Sequence, residues 1–337
     1  MRRNMIEWLE EIRIAEQKKG MPVLSFPAIQ KMNITVKELV ESDELQAEAM
    51  KIVADMTPDS LASVSMMDLS VEAEAFGSEI RYSDDEVPTV IGRIVEDEKE
   101  AEQLEIPNVG AGRTGIYVEA MAKAVKTIQN RPVFAGVIGP FSLAGRLMDV
   151  TEAMVNCYED PDMVHLVLEK VTEFLIQYIN AYKEAGANGV VMAEPLAGIL
   201  SPGLEKEFSS EYVKRIVDAV QTEEFLVIYH NCGNNIYQQI DSIVENGCHV
   251  LHFGNAVDMK LLLDKIPEDR IVMGNVDPAG QFRNGTPESV KQATMELLEK
   301  CAEYSNFIIS SGCDIPPSSS WNNIQAFFDG IKEFYRA

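Results

Sequence analysis

Leu226-Val-Ile-Tyr-His-Asn-Cys-Gly233 is the stretch on which the fold turns. Its first four residues, Leu226–Tyr229, are apolar without alternation, which suits a parallel strand buried on both faces. The next four, His230-Asn-Cys-Gly233, are polar or small and include two metal-ligating side chains. An apolar run that gives way at once to reactive residues is the pattern of a barrel strand ending at an active face.

Seven further runs of this kind stand along the chain: Val23–Phe26, Ala62–Met67, Val133–Ile138 and Gly189–Ala193 before it, then Val250–Phe253, Ile271–Gly274 and Phe307–Ser310 after it. Between them the apolar spacing becomes helical, most clearly over Pro161–Ala185, where Gly186 marks the stop, and over Pro287–Tyr304 and Trp321–Phe334. Eight strands alternating with helices predict a TIM (β/α)8 barrel, a single domain over residues 1–337, with extra N-terminal and lid elements. Residues 70–132 are more than one helix needs, and predict an insertion of a hairpin and added helices over the barrel mouth. An open, doubly wound sheet is the competing arrangement.

The composition agrees. Apolar residues make up 46% of the 337, enough for a large core, and the formal net charge is −25. So acidic a chain repels nucleic-acid phosphates and anionic membranes at long range, which predicts neither as a partner. No run approaches the ~20 apolar residues of a membrane helix. The first stretch, MRRNMIEWLEEIRIAEQKKG, is amphipathic and charged, unlike a signal peptide. Cys157, Cys232, Cys248, Cys301 and Cys313 are odd in number and widely spaced, so they read as reduced thiols rather than a disulfide framework. A cytoplasmic protein is expected.

The other strand ends carry polar and special residues too. They include Gly139-Pro-Phe-Ser-Leu-Ala-Gly145, Ala193-Glu-Pro195, Phe253-Gly-Asn255, Gly274-Asn-Val-Asp-Pro278 and Ser310-Ser-Gly-Cys-Asp-Ile-Pro-Pro317. In a barrel these ends converge on one face. Residues i and i+2 of extended chain point the same way, so His230 and Cys232 can reach one ion, and Cys313 can supply a third ligand from across the mouth. Two thiolates and an imidazole select zinc, and three protein ligands leave the fourth position open, as in catalytic zinc sites. The alternative is three unconnected buried residues, since cysteine is often simply buried.

Asp68-Leu-Ser-Val-Glu-Ala-Glu-Ala-Phe-Gly77, Gly139-Pro-Phe-Ser-Leu-Ala144, Gly186-Ala187, His230-Asn-Cys-Gly233 and Gly274-Asn-Val-Asp277 together resemble the uroporphyrinogen decarboxylase superfamily over nearly the whole chain. That resemblance implies a TIM barrel, in agreement with the strand count. Decarboxylases of the superfamily carry an N-terminal Arg-Gln-Ala-Gly-Arg segment that grips porphyrinogen carboxylates. Here the equivalent region, Pro22-Val-Leu-Ser-Phe-Pro-Ala-Ile-Gln30, has no arginine. They also end their last strand in Asn-Leu-Gly-His, where this chain has Ser311-Gly-Cys-Asp314. The His-x-Cys…Cys pattern instead resembles the zinc motif of the methylcobalamin:coenzyme M methyltransferase branch, and His230, Cys232 and Cys313 match it residue by residue. The branch implies zinc, a methylated corrinoid as co-substrate delivered by a separate corrinoid protein, and a small coenzyme M-like thiol as acceptor. The chemistry stands on its own: a free thiol with a pKa near ~8.5 is mostly protonated at neutral pH, and ligation to zinc deprotonates it. The rival functions are a uroporphyrinogen decarboxylase-type decarboxylase and a non-catalytic zinc-dependent binding protein.

Around the three ligands, Asp68 and Glu194 are expected as catalytic residues, with Glu194 or water in the fourth zinc position. Tyr117, Arg113 and Asn255 are expected to bind substrate. Asp68 matches the superfamily's substrate-facing aspartate and is equally suited to capping a helix. Asp314 suits a hydrogen-bonding role behind Cys313, and Asp277 a loop role as readily as a catalytic one. Gly110, Gly112 and Gly115 spell G-x-G-x-x-G, but with no strand before them they read as a loop capping a helix from Ile116, not a phosphate cradle. His252 reads as a core or pocket histidine, His165 as surface, and Cys157, Cys248 and Cys301 as packed, inert thiols.

Overall fold

The computed structural model describes residues 3–336. Its strands are β1 (Ser63–Val64), β2 (Glu79–Arg81), β3 (Thr89–Ile91), β4 (Val133–Ile138), β5 (Gly189–Ala193), β6 (Leu226–Asn231), β7 (Val250–Phe253), β8 (Ile271–Val276) and β9 (Phe307–Ser311). Seven of them form one sheet, in the order β1-β4-β5-β6-β7-β8-β9, and every pairing in it is parallel. β2 and β3 make a separate antiparallel hairpin.

The expected strand at Val23–Phe26 does not form. Pro27, with no N–H and a fixed φ, turns Phe26–Ala28 into a short 3-10 helix. The preceding residues still bridge the two edges of the sheet: Met21 N–H donates to Ile309 O at 3.0 Å and Leu61 N–H to Gly20 O at 2.9 Å. Ser25 Oγ donates to Val64 O. The sheet therefore curls into a TIM-like arrangement of seven regular strands, with an irregular segment in the eighth place. The run Ala62–Met67 is also shorter as a strand than its hydrophobicity suggests. Past Val64, the Ser65 hydroxyl accepts the Gly136 N–H at 2.9 Å, so a side chain takes the place of the ladder.

The interior follows from period-two alternation. Val64, Phe134, Val191, Leu226, Ile228, Val250, Ile271, Met273 and Ile308 pack with Met21 and Val23 in one cluster, which Met5, Trp8, Leu9 and Ile12 of the helix Met5–Ile14 join. The Trp8 ring lies 6.0 Å from that of Phe134, near the start of β4, so this helix fills the N-terminal end of the sheet's interior. Residues 70–132 hold the hairpin and the helices Val71–Ala75, Glu98–Gln103 and Thr114–Thr127. Among the described residues no helix is long and apolar enough to cross a membrane.

Candidate active site

Alternation along the strands decides what lies at the C-terminal end. Leu226 and Ile228 point inward, so His230, two further on, does too; Val250 places His252 in the same way. The two histidines are register partners on β6 and β7, and their ring centroids are 4.6 Å apart. The inward stripe thus changes from aliphatic to polar where the strands end.

His230, Cys232 and Cys313 come together, with one ligand atom from each lying within 4.8 Å of the others. The approach depends on Gly254: a Cβ there would sit 2.6 Å from the Cys232 Cβ. Asn231 shapes the turn that presents Cys232, accepting from Gly233 N–H at 2.9 Å while its own amide donates to the Tyr229 hydroxyl at 3.0 Å. The two thiols act on each other. Hydrogen bonding with Cys313, aided by His230, pulls Cys232 down to about 4, and the same contact together with burial pushes Cys313 up.

His230 is 4% exposed, and neither of its ring nitrogens has a hydrogen-bond partner among the described residues. Leaving such a group buried and unpaired is costly. An orphaned imidazole beside two thiols fits a soft, tetrahedral ion, with Zn–N and Zn–S bonds of about 2.0 and 2.3 Å. The donor set therefore suits zinc. His252 supports the cluster from behind, its Nε2 2.7 Å from Ser311 O, two residues before Cys313. Burial, with His230 nearby, pulls His252 down to about 3, so it stays neutral. The side-chain Oδ1 of Asp314 has no hydrogen-bond partner among the described residues, and burial raises its carboxyl above the usual range.

Asp68, Arg113 and Tyr117 also meet. Arg113 Nη1 pairs with Asp68 Oδ2 at 2.5 Å, its Nη2 donates to Ser70 Oγ at 2.8 Å, and its Nε pairs with Glu74 at 2.7 Å. The Tyr117 hydroxyl donates to the same Asp68 oxygen at 2.9 Å. Asp68 Oδ1 accepts from Ser70 N–H and Oγ, so it orders the turn into the helix Val71–Ala75 as well as holding Arg113. Beside this network Glu72 is buried; its Oε1 accepts from Ile138 N–H at 3.0 Å, its Oε2 has no partner among the described residues, and burial raises the carboxyl to about 8.

Glu194 lies outside the metal cluster. It is fully buried, and its oxygens accept from Phe141 N–H at 2.7 Å and Ser142 N–H at 2.8 Å, capping the helix Pro140–Met148. Burial raises it to about 7 against those hydrogen bonds. Gly139 makes room for it, since a Cβ there would fall 2.6 Å from the Glu194 carboxyl carbon. Asn255 is exposed and lies against Gly312: a Cβ on Gly312 would fall 2.8 Å from the Asn255 nitrogen. Asp277 caps the turn after β8, accepting from Ala279 and Gly280 N–H.

His165 is more than a surface residue, since its ring stacks on Phe208 at 4.6 Å and its Nδ1 is 2.8 Å from the Tyr212 hydroxyl. The glycine loop leads into a helix that starts at Thr114, two residues before Ile116, with Gly110 N–H donating to Thr114 Oγ1 at 2.9 Å. Cys157, Cys248 and Cys301 are buried, and burial raises all three thiols. Reading strand ends alone missed Ser70 and Glu72, which sit on a turn and a helix. A roomy cleft lies at the opposite end, lined by Trp8, Lys18 and Arg131 among others. Its Lys18 and Arg131 donate to backbone carbonyls, so chemistry and not cleft size locates the site.

The model of the family described as uroporphyrinogen decarboxylase (URO-D) matches residues 21–334. The chain is similar to the methylcobamide:CoM methyltransferase MtbA of Methanosarcina acetivorans, 27% identical over 98% of this chain and 99% of that one. It is also similar to the uroporphyrinogen decarboxylase of Coxiella burnetii, 25% identical over 81% of this chain and 77% of that one. Among solved structures, a methyltransferase from Methanosarcina mazei superposes with a TM-score of 0.86 at 23% identity, covering 98% of this chain and 99% of that one, which shows the shared fold.

Proposed function

From the premise that the chain belongs to the uroporphyrinogen decarboxylase family, we propose that it is a zinc-dependent methyltransferase moving a methyl group from a methylated corrinoid to a small thiol. The likeness to MtbA supports methyl transfer. The observation that carries the reading is His230, buried with both nitrogens unpartnered, beside Cys232 and Cys313.

In this reading His230 would hold the ion through a ring nitrogen, and Cys232 and Cys313 through their sulfurs, the thiols giving up their protons as metal binds. Zinc held there would supply a Lewis acid at which an acceptor thiol loses its proton at neutral pH. In the overall change the sulfur gains the methyl group, the carbon–cobalt bond breaks with its electron pair left on the corrinoid, and the thiol proton goes to solvent. Glu194 acts through the helix it caps and is a positioning residue, which leaves water for the fourth metal position. Asp68, with Tyr117 and Arg113, forms a wall of the acceptor pocket; Asn255 contributes at its rim. Residues 70–132 cover the mouth of a single domain, and a separate corrinoid protein docks there.

A decarboxylase is the second reading, favoured by the likeness to uroporphyrinogen decarboxylases. Against it stand the absence of arginine from Pro22–Gln30 and the cysteine at 313. Anaerobic incubation of the zinc-loaded protein with methylcobalamin and a panel of thiols tests the proposal. Methylated thiol and cob(I)alamin are expected together. A catalytic protein that methylates no thiol but decarboxylates a porphyrinogen would replace the reading.

A further inference from the structure

Arg146 is an anomaly among the buried and half-buried cations. Arg113 pairs with two carboxylates, and Arg131 and Lys18 donate to carbonyls. Arg146 is half-buried, yet it makes no hydrogen bond or ion pair with any described residue, and burial alone acts on its charge. In a chain with 54 acidic residues against 29 lysines and arginines, a guanidinium held away from every carboxylate needs an explanation. It remains charged at any accessible pH.

Its position is informative. Every other residue of the helix Pro140–Met148 is buried, so Arg146 marks the one opening along it. One turn before it, on the same helical face, is Ser142. The Ser142 N–H donates to Glu194 and its Oγ accepts from Leu196 N–H at 3.2 Å. A Cβ on Gly145 would sit 2.5 Å from Leu196 Cδ1. This face is therefore turned to the loop that follows β5. Side chains on a helix lean back toward its N-terminus, and this helix begins at Gly139, whose N–H donates to Ala193 O at 2.7 Å, at the C-terminal ends of β4 and β5. Those ends lie on the same side of the sheet as the His230–Cys232–Cys313 cluster.

We propose that Arg146 is the counter-ion for an anionic group, a carboxylate or sulfonate, on the small molecule handled at that cluster, and so selects the acceptor. Placing that molecule at the metal cluster rests on the methyl-transfer reading; the charge argument for Arg146 does not. A planar guanidinium fork matches either anion in two-point contact. Arg113 cannot serve, because Asp68 and Glu74 already neutralise it. A lone guanidinium also suits one anionic group better than a ring of carboxylates.

Calorimetry on the zinc-loaded protein tests this with 3-mercaptopropionate and 2-mercaptoethanesulfonate as anionic thiols, 2-mercaptoethanol as the neutral one, and propionate and ethanesulfonate as thiol-free anions. Arg146→Gln should weaken both anionic thiols by about 10- to 100-fold and leave 2-mercaptoethanol unchanged. The tighter of the two anions in the wild type identifies the acid class. Arg146→Met, which keeps the packing of the stem, repeats the test should the glutamine variant not fold. Anionic thiols bound as tightly by the variants as by the wild type would overturn the assignment. Should no thiol bind the wild type, the methyl-transfer reading fails and the thiol-free anions decide: binding lost in the variants upholds Arg146, and binding that is absent or unchanged overturns it.

Discussion

The His252 ring packs against that of His230, tilted by 36° with 4.6 Å between centroids, and its Nε2 lies 2.7 Å from Ser311 O. One neutral imidazole thus braces two ligand-bearing segments, the end of β6 by ring contact and the approach to Cys313 by a hydrogen bond. His252→Phe keeps a ring but removes that bond. Zinc affinity, measured by chelator competition, should fall about tenfold, as for other residues that orient ligands from behind. Unchanged affinity would make His252 simple core packing.

The Asp68–Arg113 pair should dominate the stability of its corner. Both side chains are almost fully buried, and removing Asp68 leaves the buried Arg113 with Glu74 as its one remaining ion-pair partner among the described residues. Asp68→Ala is expected to lower the unfolding free energy by about 3–5 kcal/mol. Tyr117→Phe, which removes one hydroxyl, should cost about 0.5–1.5 kcal/mol. Denaturant titrations check both, and equal effects from the two variants would contradict the hierarchy.

Glu72 sets a pH dependence. Its folded-state carboxyl is raised from 4.5 to about 8 by burial, so the folded protein holds a proton that the unfolded chain releases. This stabilisation is fully present below about pH 4.5 and is lost as pH rises through about 8. Glu72→Gln should flatten the fall in stability between those values, so the variant gains on the wild type as pH rises. A variant whose stability runs parallel to the wild type across that range would show that Glu72 is not the proton holder.

Much of this was legible in the sequence because barrel chemistry sits at strand ends. His230, Cys232 and Cys313 each follow an apolar run, and the period of two aims the first pair at one place. Asp68, Arg113 and Tyr117 could be named singly, but nothing in their spacing reveals that a turn, a loop and a helix join them. Glu194 drew notice as a carboxylate at a strand end. That Phe141 and Ser142 amides occupy it depends on a neighbouring strand, which sequence alone does not reveal. The missed break at Phe26 had a local signal, Pro27. Arg146 had none, since an arginine in an amphipathic helix ordinarily faces water.

Substrate charge separates the two readings. Uroporphyrinogen III should not be converted to coproporphyrinogen at a useful rate, because burying its carboxylates without the arginine pair leaves them unpaired. Chromatography of the products of an anaerobic incubation reads this directly. Robust conversion would restore the decarboxylase reading.

Zinc-edge X-ray absorption with and without a small thiol reads the ligands at His230, Cys232 and Cys313 themselves. The purified protein should carry about one zinc per chain, with two sulfur ligands and one ring nitrogen from the protein. Saturating thiol should raise the sulfur count to three and release a proton. Cys313→Ala should lose most of the metal with the fold intact. A wild-type protein that stays metal-free in reducing buffer with added zinc, or one whose sulfur count no thiol changes, would contradict the account.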